Sequence, residues 1–229
     1  ATKFAAIHLE KLEDEPQEIT ATLDKWILSR LHRAAAKASA EFEGYEYASA
    51  LRAIEDFFWN DFCDNYLELV KKRAYDEAGT DKDGQMSAVY TIYHCLDGIL
   101  RLFAPIVPHV TEELWSHIFE DKYAATGSIH ARGNWVQASD YPLDETAEAE
   151  GIAVVELLEA VRKAKSEKGV SIKWPITNAV ISAELSESAK TDLAGAGNIA
   201  SISFGEGELK TEHENYTLTL TFAEESDAA

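Results

Sequence analysis

Apolar residues at steps of three and four recur in four separate stretches, and this pattern limits the architecture more tightly than any other feature of the chain. Ile27, Leu28, Leu31, Ala34, Ala35 and Ala38 form the first stripe, and Leu51, Ile54, Phe58, Phe62, Tyr66 and Leu69 the second. Val89, Ile92, Leu96, Ile99 and Phe103 make the third, and Val110, Leu114 and Ile118 the fourth. Such a period gathers each set on one face of an α-helix, and that face needs another element to cover it. Gly44, the segment AGTDKDGQ and Pro105 separate the stripes. Thr22 is expected to cap the first helix with Asp24 at its positive end, the second is expected from Tyr47 to Ala74, and Pro108 fits the first turn of the fourth. Short turns between long helices predict a mainly α fold built as an antiparallel helical bundle.

The texture then changes twice. GSIHARGNWVQASDYP, over 127–142, is irregular and is expected to strap across the bundle with Trp135 as its anchor. A fifth helix is expected from Glu145 to Lys168. Beyond Gly169 the apolar period becomes two, in ITNAVISAEL, IASISF and YTLTLTF, with a short helix in SESAKTDLAG. This predicts a bundle over 1–145 followed by a small C-terminal α/β subdomain over 146–229. Residues 1–9 have the pattern of a helix cut on its N-terminal side.

At 229 residues and 46% hydrophobic composition the chain can bury a sizeable core. No apolar run approaches the ~18 residues of a membrane span and no signal-peptide layout is present, so a soluble, cytoplasmic monomer with no membrane partner is expected. The only methionine is Met86 and the sequence opens on Ala1, which suggests a piece of a longer polypeptide. Cys63 and Cys95 fall on separate helices and are expected to be buried thiols.

Forty-one acids against 21 bases leave a net charge of −20, spread through every segment. That field repels phosphate at ordinary ionic strength. At molar salt the Debye length shrinks to ~3 Å and the repulsion is screened, so the composition points to a halophilic cytoplasm. An acidic protein with a basic partner is the other reading.

Catalytic signatures are missing: no Gly-rich phosphate loop, no nucleophile elbow, no helix with two histidines flanking a glutamate. No catalytic residue is assigned. His94, Cys95, His109 and His117 lack the paired spacing of a zinc site, so no metal or cofactor is expected within these residues. Asp61 and Asp64, three apart on a polar face, read as solvated or ion-paired carboxylates.

Cations are scarce and therefore informative. Trp26, Arg30, Arg33 and Lys37 fall at i, i+4, i+7 and i+11, one stripe with a stackable ring at its head. Arg162, Lys163, Lys165, Lys168 and Lys173 face Glu167 alone. Both clusters read either as phosphate contacts or as solvated faces paired to neighbouring acids. Lys71, Lys72 and Arg73 read as cations ending a helix at its negative pole.

DKWILSRL, FFWNDFCDNYLELVK, LRLFAPIVPHVTEELW, GSIHARGNW and RKAKSEKGVSIKWPI occur in that order. Together they resemble the C-terminal part of the valyl-tRNA synthetases, class Ia aminoacyl-tRNA synthetases, nearly to residue 176. WNDFCDNYLE is the discriminating piece, because the proline-containing segment recurs in isoleucyl and leucyl enzymes. Many members carry Trp where Asn65 stands. The resemblance implies an anticodon-binding domain, attached to a catalytic domain that joins valine to tRNA(Val) with ATP and Mg. The His-Ile-Gly-His and Lys-Met-Ser-Lys-Ser signatures of that catalytic domain do not occur here. By the same resemblance Lys3 is a candidate phosphate or base-edge contact and Phe4 a candidate stacking ring. Charge clustering within an acidic chain suggests that Arg30, Arg33 and Lys37 position the stem and that the patch Arg162, Lys165 and Lys168 touches the outer limb. Combined with the charge, the resemblance suggests a halophilic archaeal source. The competing readings are the same domain of an isoleucyl or leucyl enzyme, and a non-catalytic acidic scaffold for protein interaction.

Overall fold

A computed structural model describes residues 18–76, 78–119, 124–125, 127–131, 133 and 135–224. Its helices are α1 (Thr22–Glu43), α2 (Tyr47–Asp56), a π-helix (Phe57–Tyr66), α3 (Leu67–Tyr75), α4 (Lys82–Phe103) and α5 (Pro108–Ile118). A 3-10 turn (Ala138–Asp140), α6 (Glu145–Glu167), β1 (Ile176–Ile181), α7 (Glu187–Gly197), β2 (Ile202–Phe204), β3 (Leu209–Lys210) and β4 (Thr217–Phe222) follow. The protein is mainly helical with a small mixed sheet at its C-terminal end. Strand order is β2-β1-β4-β3, with β1 parallel to β2 through the α7 crossover and β4 antiparallel to both β1 and β3.

α1 lies at the centre of the helical part, packed against α2, α4 and α6, while α7 packs on α3 and α6. Helix starts follow local chemistry. Asp81 accepts from the Gly84 amide at 2.9 Å, Asp144 from Ala147 at 2.9 Å, and Ser186 from Ala189 at 3.3 Å. Thr22 is not the cap expected of it: Ala21 occupies that position without a side-chain bond, and Thr22 is the first helical residue. The exposed amide donors there are met from far along the chain. Ser188 Oγ accepts from the Thr22 amide at 3.2 Å, and the Thr22 and Ser186 hydroxyls lie 2.9 Å apart. The start of α1 is thus completed by the start of α7.

The stretch expected as one α-helix from Tyr47 to Ala74 contains ten π-helical residues, FFWNDFCDNY. Bonding to the fifth residue instead of the fourth widens the turn and shifts the inward face. Phe57, Phe62 and Tyr66 are therefore buried, at steps of five and four, whereas Phe58 is only partly covered and Trp59 is exposed. The Phe57, Phe62 and Tyr66 rings form a continuous stack, with centroids 6.5 and 6.0 Å apart and planes within 23°. Asn65 Nδ2 donates to the Asn60 carbonyl at 2.9 Å, a peg spanning five residues. On α5 the expected inner residue Val110 is exposed, and Thr111 and Trp115 are the buried ones.

Asp24, expected only to meet a helix dipole, is buried at a polar junction with Arg73. Its Oδ1 accepts from Tyr66 Oη at 2.7 Å and Arg73 Nη2 at 2.8 Å, and its Oδ2 from Arg73 Nη1 at 2.8 Å and Ser87 Oγ at 2.6 Å. Arg73 also donates to the Gly84 carbonyl at 2.8 Å, and to Asp192 through Nε at 3.1 Å and Nη2 at 2.9 Å. All five guanidinium hydrogens are spent. Arg73 thus does not simply end a helix; it joins α1, α3, α4 and α7. Burial opposes its charge, but Asp24 and then Asp192 outweigh that and hold its pKa above the ordinary value. Asp192 is the weaker partner, since burial pushes its carboxyl up to about 6 against the pull of Arg73.

Because Asp192 moves from 3.8 to about 6 on folding, the folded state binds that proton more tightly. Its stabilising contribution is present below about pH 4 and lost as pH rises through about 6, on the order of 1–3 kcal/mol. Denaturant unfolding at pH 5 and pH 7.5 should show this loss in the native sequence and a flatter dependence in Asp192→Asn. Equal pH dependence in the two proteins would refute it.

Candidate nucleic-acid interface

The α1 stripe is neither uniform nor wholly exposed. Trp26 is buried, its ring lying against Gly151 of α6, so the ring expected at the head of the stripe cannot stack on a ligand in this fold. Arg30 Nε lies 2.9 Å from Asp61 Oδ2. Arg33 Nε lies 2.7 Å from Glu148 Oε1 and its Nη2 3.7 Å from Glu145. Ser29 Oγ also donates to Glu148, at 2.6 Å, and accepts from the Asp144 amide at 2.9 Å. Burial alone would raise the Glu148 carboxyl, but hydrogen bonds from Arg33 and Ser29 hold it below the ordinary range. At Asp61 the balance reverses, and burial raises it despite Arg30. These pairs first hold α1 to α6 and to the π-helix. Lys37 is exposed and makes no ion pair among the described residues. It lines a groove of about 190 Å³ with Arg30, Arg33, Asp56 and Asp61.

The α6 cluster also divides. Lys165 is buried, with Nζ donating to the carbonyls of Ile172 and Gly197 at 2.8 Å each. Gly197 is the last residue of α7, so the ammonium sits at the negative pole of that helix, and burial lowers its pKa. Lys165 clamps α6 to α7 and is unavailable to a strand of nucleic acid. Arg162 is half-buried, and Lys163, Lys168 and Lys173 are exposed. Among the described residues none of these four forms an ion pair, and Lys168 Nζ stands 4.6 Å over the Phe222 ring. Beside them lies a cavity of about 640 Å³, lined by Arg162, Lys165, Asn60, Asn65 and Glu68 among others. Lys3 and Phe4 lie outside the described residues.

Residues 24–181 match the family model described as the anticodon-binding domain of tRNA ligase. The chain belongs to this family. Among curated proteins it is similar to the valine–tRNA ligase of Rickettsia felis, 43% identical over 206 residues, which is 83% of this chain and 23% of that protein. It is also similar to the valine–tRNA ligases of Rickettsia akari, 39% identical over 91% of the chain and 26% of the relative, and of Wolbachia pipientis wMel, 37% identical over 96% and 25%. The chain spans about a quarter of the length of these relatives. All three are bacterial and give no support to the archaeal source suggested by the charge.

In this anticodon-binding domain, a cation's position on a helix face did not tell whether it was free. Arg30 and Arg33 become interhelical ties, Lys165 a clamp, and Arg73 the centre of a buried network. The signal that could have separated them is the partner set: Glu145 and Glu148 start α6, yet nothing in the linear sequence pairs them with Arg33.

Exposure of the α1 stripe depends on how closely α6 approaches α1 at Gly151. A Cβ there would collide with Cγ of the Trp26 indole, which is closed in by the core. Gly151→Ala gains about 1 kcal/mol of helix propensity, but overpacking of this kind costs about 1–3 kcal/mol or more. A net fall in the unfolding midpoint is expected, and a rise would show that α6 is free to move away.

Proposed function

We propose that this chain is the tRNA-holding module of a valine–tRNA ligase. It grips the anticodon stem and loop of tRNA(Val), while the rest of the polypeptide uses ATP and Mg to join valine to that tRNA. The observation that carries this reading is the family match over 24–181, combined with relatives that are valine–tRNA ligases. It is supported by Arg162, Lys163, Lys168 and Lys173, cations without an ion pair among the described residues that cluster within twelve positions of a chain of net charge −20. A cation without a carboxylate partner is free to displace counterions from phosphate.

Residue roles follow availability. Arg162 and Lys168, with Lys163 and Lys173, contact backbone phosphates of the outer limb. Lys37 does the same for the stem, and Arg30 and Arg33 hold the groove open beside it while retaining outward donors. Lys3 and Phe4 supply the base-edge contact and stacking ring of the anticodon loop, each stacked base being worth ~1–3 kcal/mol. Trp26 and Lys165 support these surfaces from inside. In this reading 1–145 is an antiparallel bundle with 127–142 as its strap, 146–229 is the unit carrying the cationic side, and the enzyme acts as a cytoplasmic monomer. A halophilic archaeal source fits the charge, since molar salt would screen the repulsion between this acidic surface and RNA.

Steady-state aminoacylation by the full-length enzyme tests the reading. Arg162→Ala combined with Lys168→Ala should raise KM for tRNA about 3- to 10-fold, with valine-dependent ATP–pyrophosphate exchange unchanged. The salt slope of tRNA binding should fall by about 1 for each phosphate that is no longer neutralised. Filter binding should retain tRNA(Val) over the same transcript with its anticodon swapped. Equal retention of the two transcripts would overturn anticodon recognition, and an unchanged KM would reduce the cationic side to a solvated face.

A further inference from the structure

Exposed apolar side chains are not scattered evenly over the molecule. Of eleven large ones among the described residues, five gather around the turn between α4 and α5: Tyr45 (77% exposed), Tyr47, Trp59 (56%), Val107 and Val110 (59%). They are linked by half-covered rings. Tyr45 stands edge-on to Tyr47 at 6.3 Å, Tyr47 lies 6.0 Å from Phe42, and Phe42 is edge-on to Trp135 at 5.3 Å. On the other side of the turn, Trp59 packs on Phe58 at 4.7 Å and Phe58 on Phe103 at 5.6 Å. Two shallow grooves flank the turn, one of about 350 Å³ lined by Phe42, Glu43, Pro105 and Trp135, the other of about 300 Å³ lined by Trp59, Phe103, Val107, Val110 and Leu114. Both border the segment 103–107, with Pro105 in the wall of one and Phe103 and Val107 in the wall of the other.

Local structure works against presenting these groups to water. The backbone at Tyr45 has φ of +62°, a left-handed conformation that favours glycine, and it directs a large ring outward immediately after Gly44 has closed α1. The π-helix turns Phe57 inward in place of Phe58 and leaves Trp59 exposed. Contiguous apolar patches of this extent on a soluble protein mark interfaces.

We infer that this end of the domain is the face on which the remainder of the same polypeptide docks, through apolar side chains bordered by lysine or arginine. Two observations select that occupant. The curated relatives are about four times as long as this chain, so most of such a polypeptide lies outside the described residues and must meet the domain somewhere. The stretch 43–55 that borders the patch carries the exposed acids Glu43, Glu46 and Glu55 against one exposed cation, Arg52, with none of the three acids in an ion pair among the described residues. This rim repels phosphate and attracts cationic side chains, which favours protein over RNA. The unpaired cations Arg162, Lys163, Lys168 and Lys173 lie on other elements, leaving them to the nucleic acid. The inference rests on the reading that the chain is part of a longer ligase.

Hydroxyl-radical footprinting of the full-length enzyme, at a concentration where sedimentation shows a monomer, tests it. Phe204, 63% exposed on β2, serves as the internal reference. Docking predicts that Tyr45, Tyr47 and Trp59 oxidise at least 10-fold more slowly than their exposure in this domain dictates, without tRNA present. Oxidation at the rate of freely exposed rings overturns the proposal. Protection that appears only with dimerisation assigns the face to a second copy, and protection that appears only with tRNA assigns it to RNA; either result also overturns it. Aminoacylation by the same preparation separates the two claims. An enzyme that charges tRNA(Val) with unprotected rings sinks the docking face alone, whereas failure to charge sinks the functional reading.

Discussion

The contact between Arg73 and the carboxylates of Asp24 and Asp192 is the constraint on which the rest of the structure depends. These residues come from α3, α1 and α7, and Gly84 and Ser87 of α4 complete the ring, so four elements share one hydrogen-bonded set. A buried pair of this kind is weak evidence for net stability, because desolvating the ions offsets much of their attraction. Its consequence is selectivity of arrangement. Any packing of α7 that missed Arg73 would leave a guanidinium or a carboxylate dry and unpaired, at about 3–5 kcal/mol. The sheet follows, since α7 is the crossover between β1 and β2. The polar junction thus sets α7 against α1, while α6 is held to α1 directly through Arg33 with Glu148 and the close approach of Gly151 to Trp26.

The π-helix is the second determinant, and it acts through register. Had FFWNDFCDNY remained α-helical, Phe58, Phe62 and Tyr66 would share the inner face. The wider turn instead stacks Phe57, Phe62 and Tyr66, which places the Tyr66 hydroxyl on Asp24 at 2.7 Å. Core packing and the polar junction are thus linked through one side chain. The same shift leaves Trp59 outside and sets Asn60 and Asn65 along the wall of the large cavity next to Arg162. Asn65 stands where the resemblance leads one to expect a tryptophan, and the open volume beside it is consistent with a missing ring.

Legibility in the sequence followed the range of the interaction. Elements set by local period and punctuation were readable: α1 closes at Gly44, α4 stops before Pro105, Pro108 opens α5, and the change to a period of two announces β1 and β4. The π turn was not readable, because steps of four and five in a run of aromatics fit either helix until the packing chooses. Partner choice across 40 to 120 residues was likewise hidden. Arg33 with Glu148 and Arg73 with Asp192 are pairings that only the fold defines. Of the proposed contacts, Trp26 and Lys165 are buried for one reason: helical spacing places a residue on a face and does not say whether another element covers that face.

The availability of each cation follows from the same packing. In a chain with twice as many acids as bases a cation readily finds a carboxylate, and Arg30, Arg33, Lys71, Arg73, Arg101, Lys190 and Lys210 do. Their pairs hold helices or turns together and return little field to solvent. Arg162, Lys163, Lys168 and Lys173 escape this because they surround the end of α6, where the closest carbonyl cluster is already taken by Lys165 and the β1 approach offers serine, isoleucine and tryptophan in place of acids. The acidic excess therefore does not abolish a phosphate-binding face. It leaves that role to cations that form no ion pair among the described residues, Arg162, Lys163, Lys168 and Lys173 around the C-terminal half of α6 and Lys37 on α1, while Lys165 is spent on backbone carbonyls.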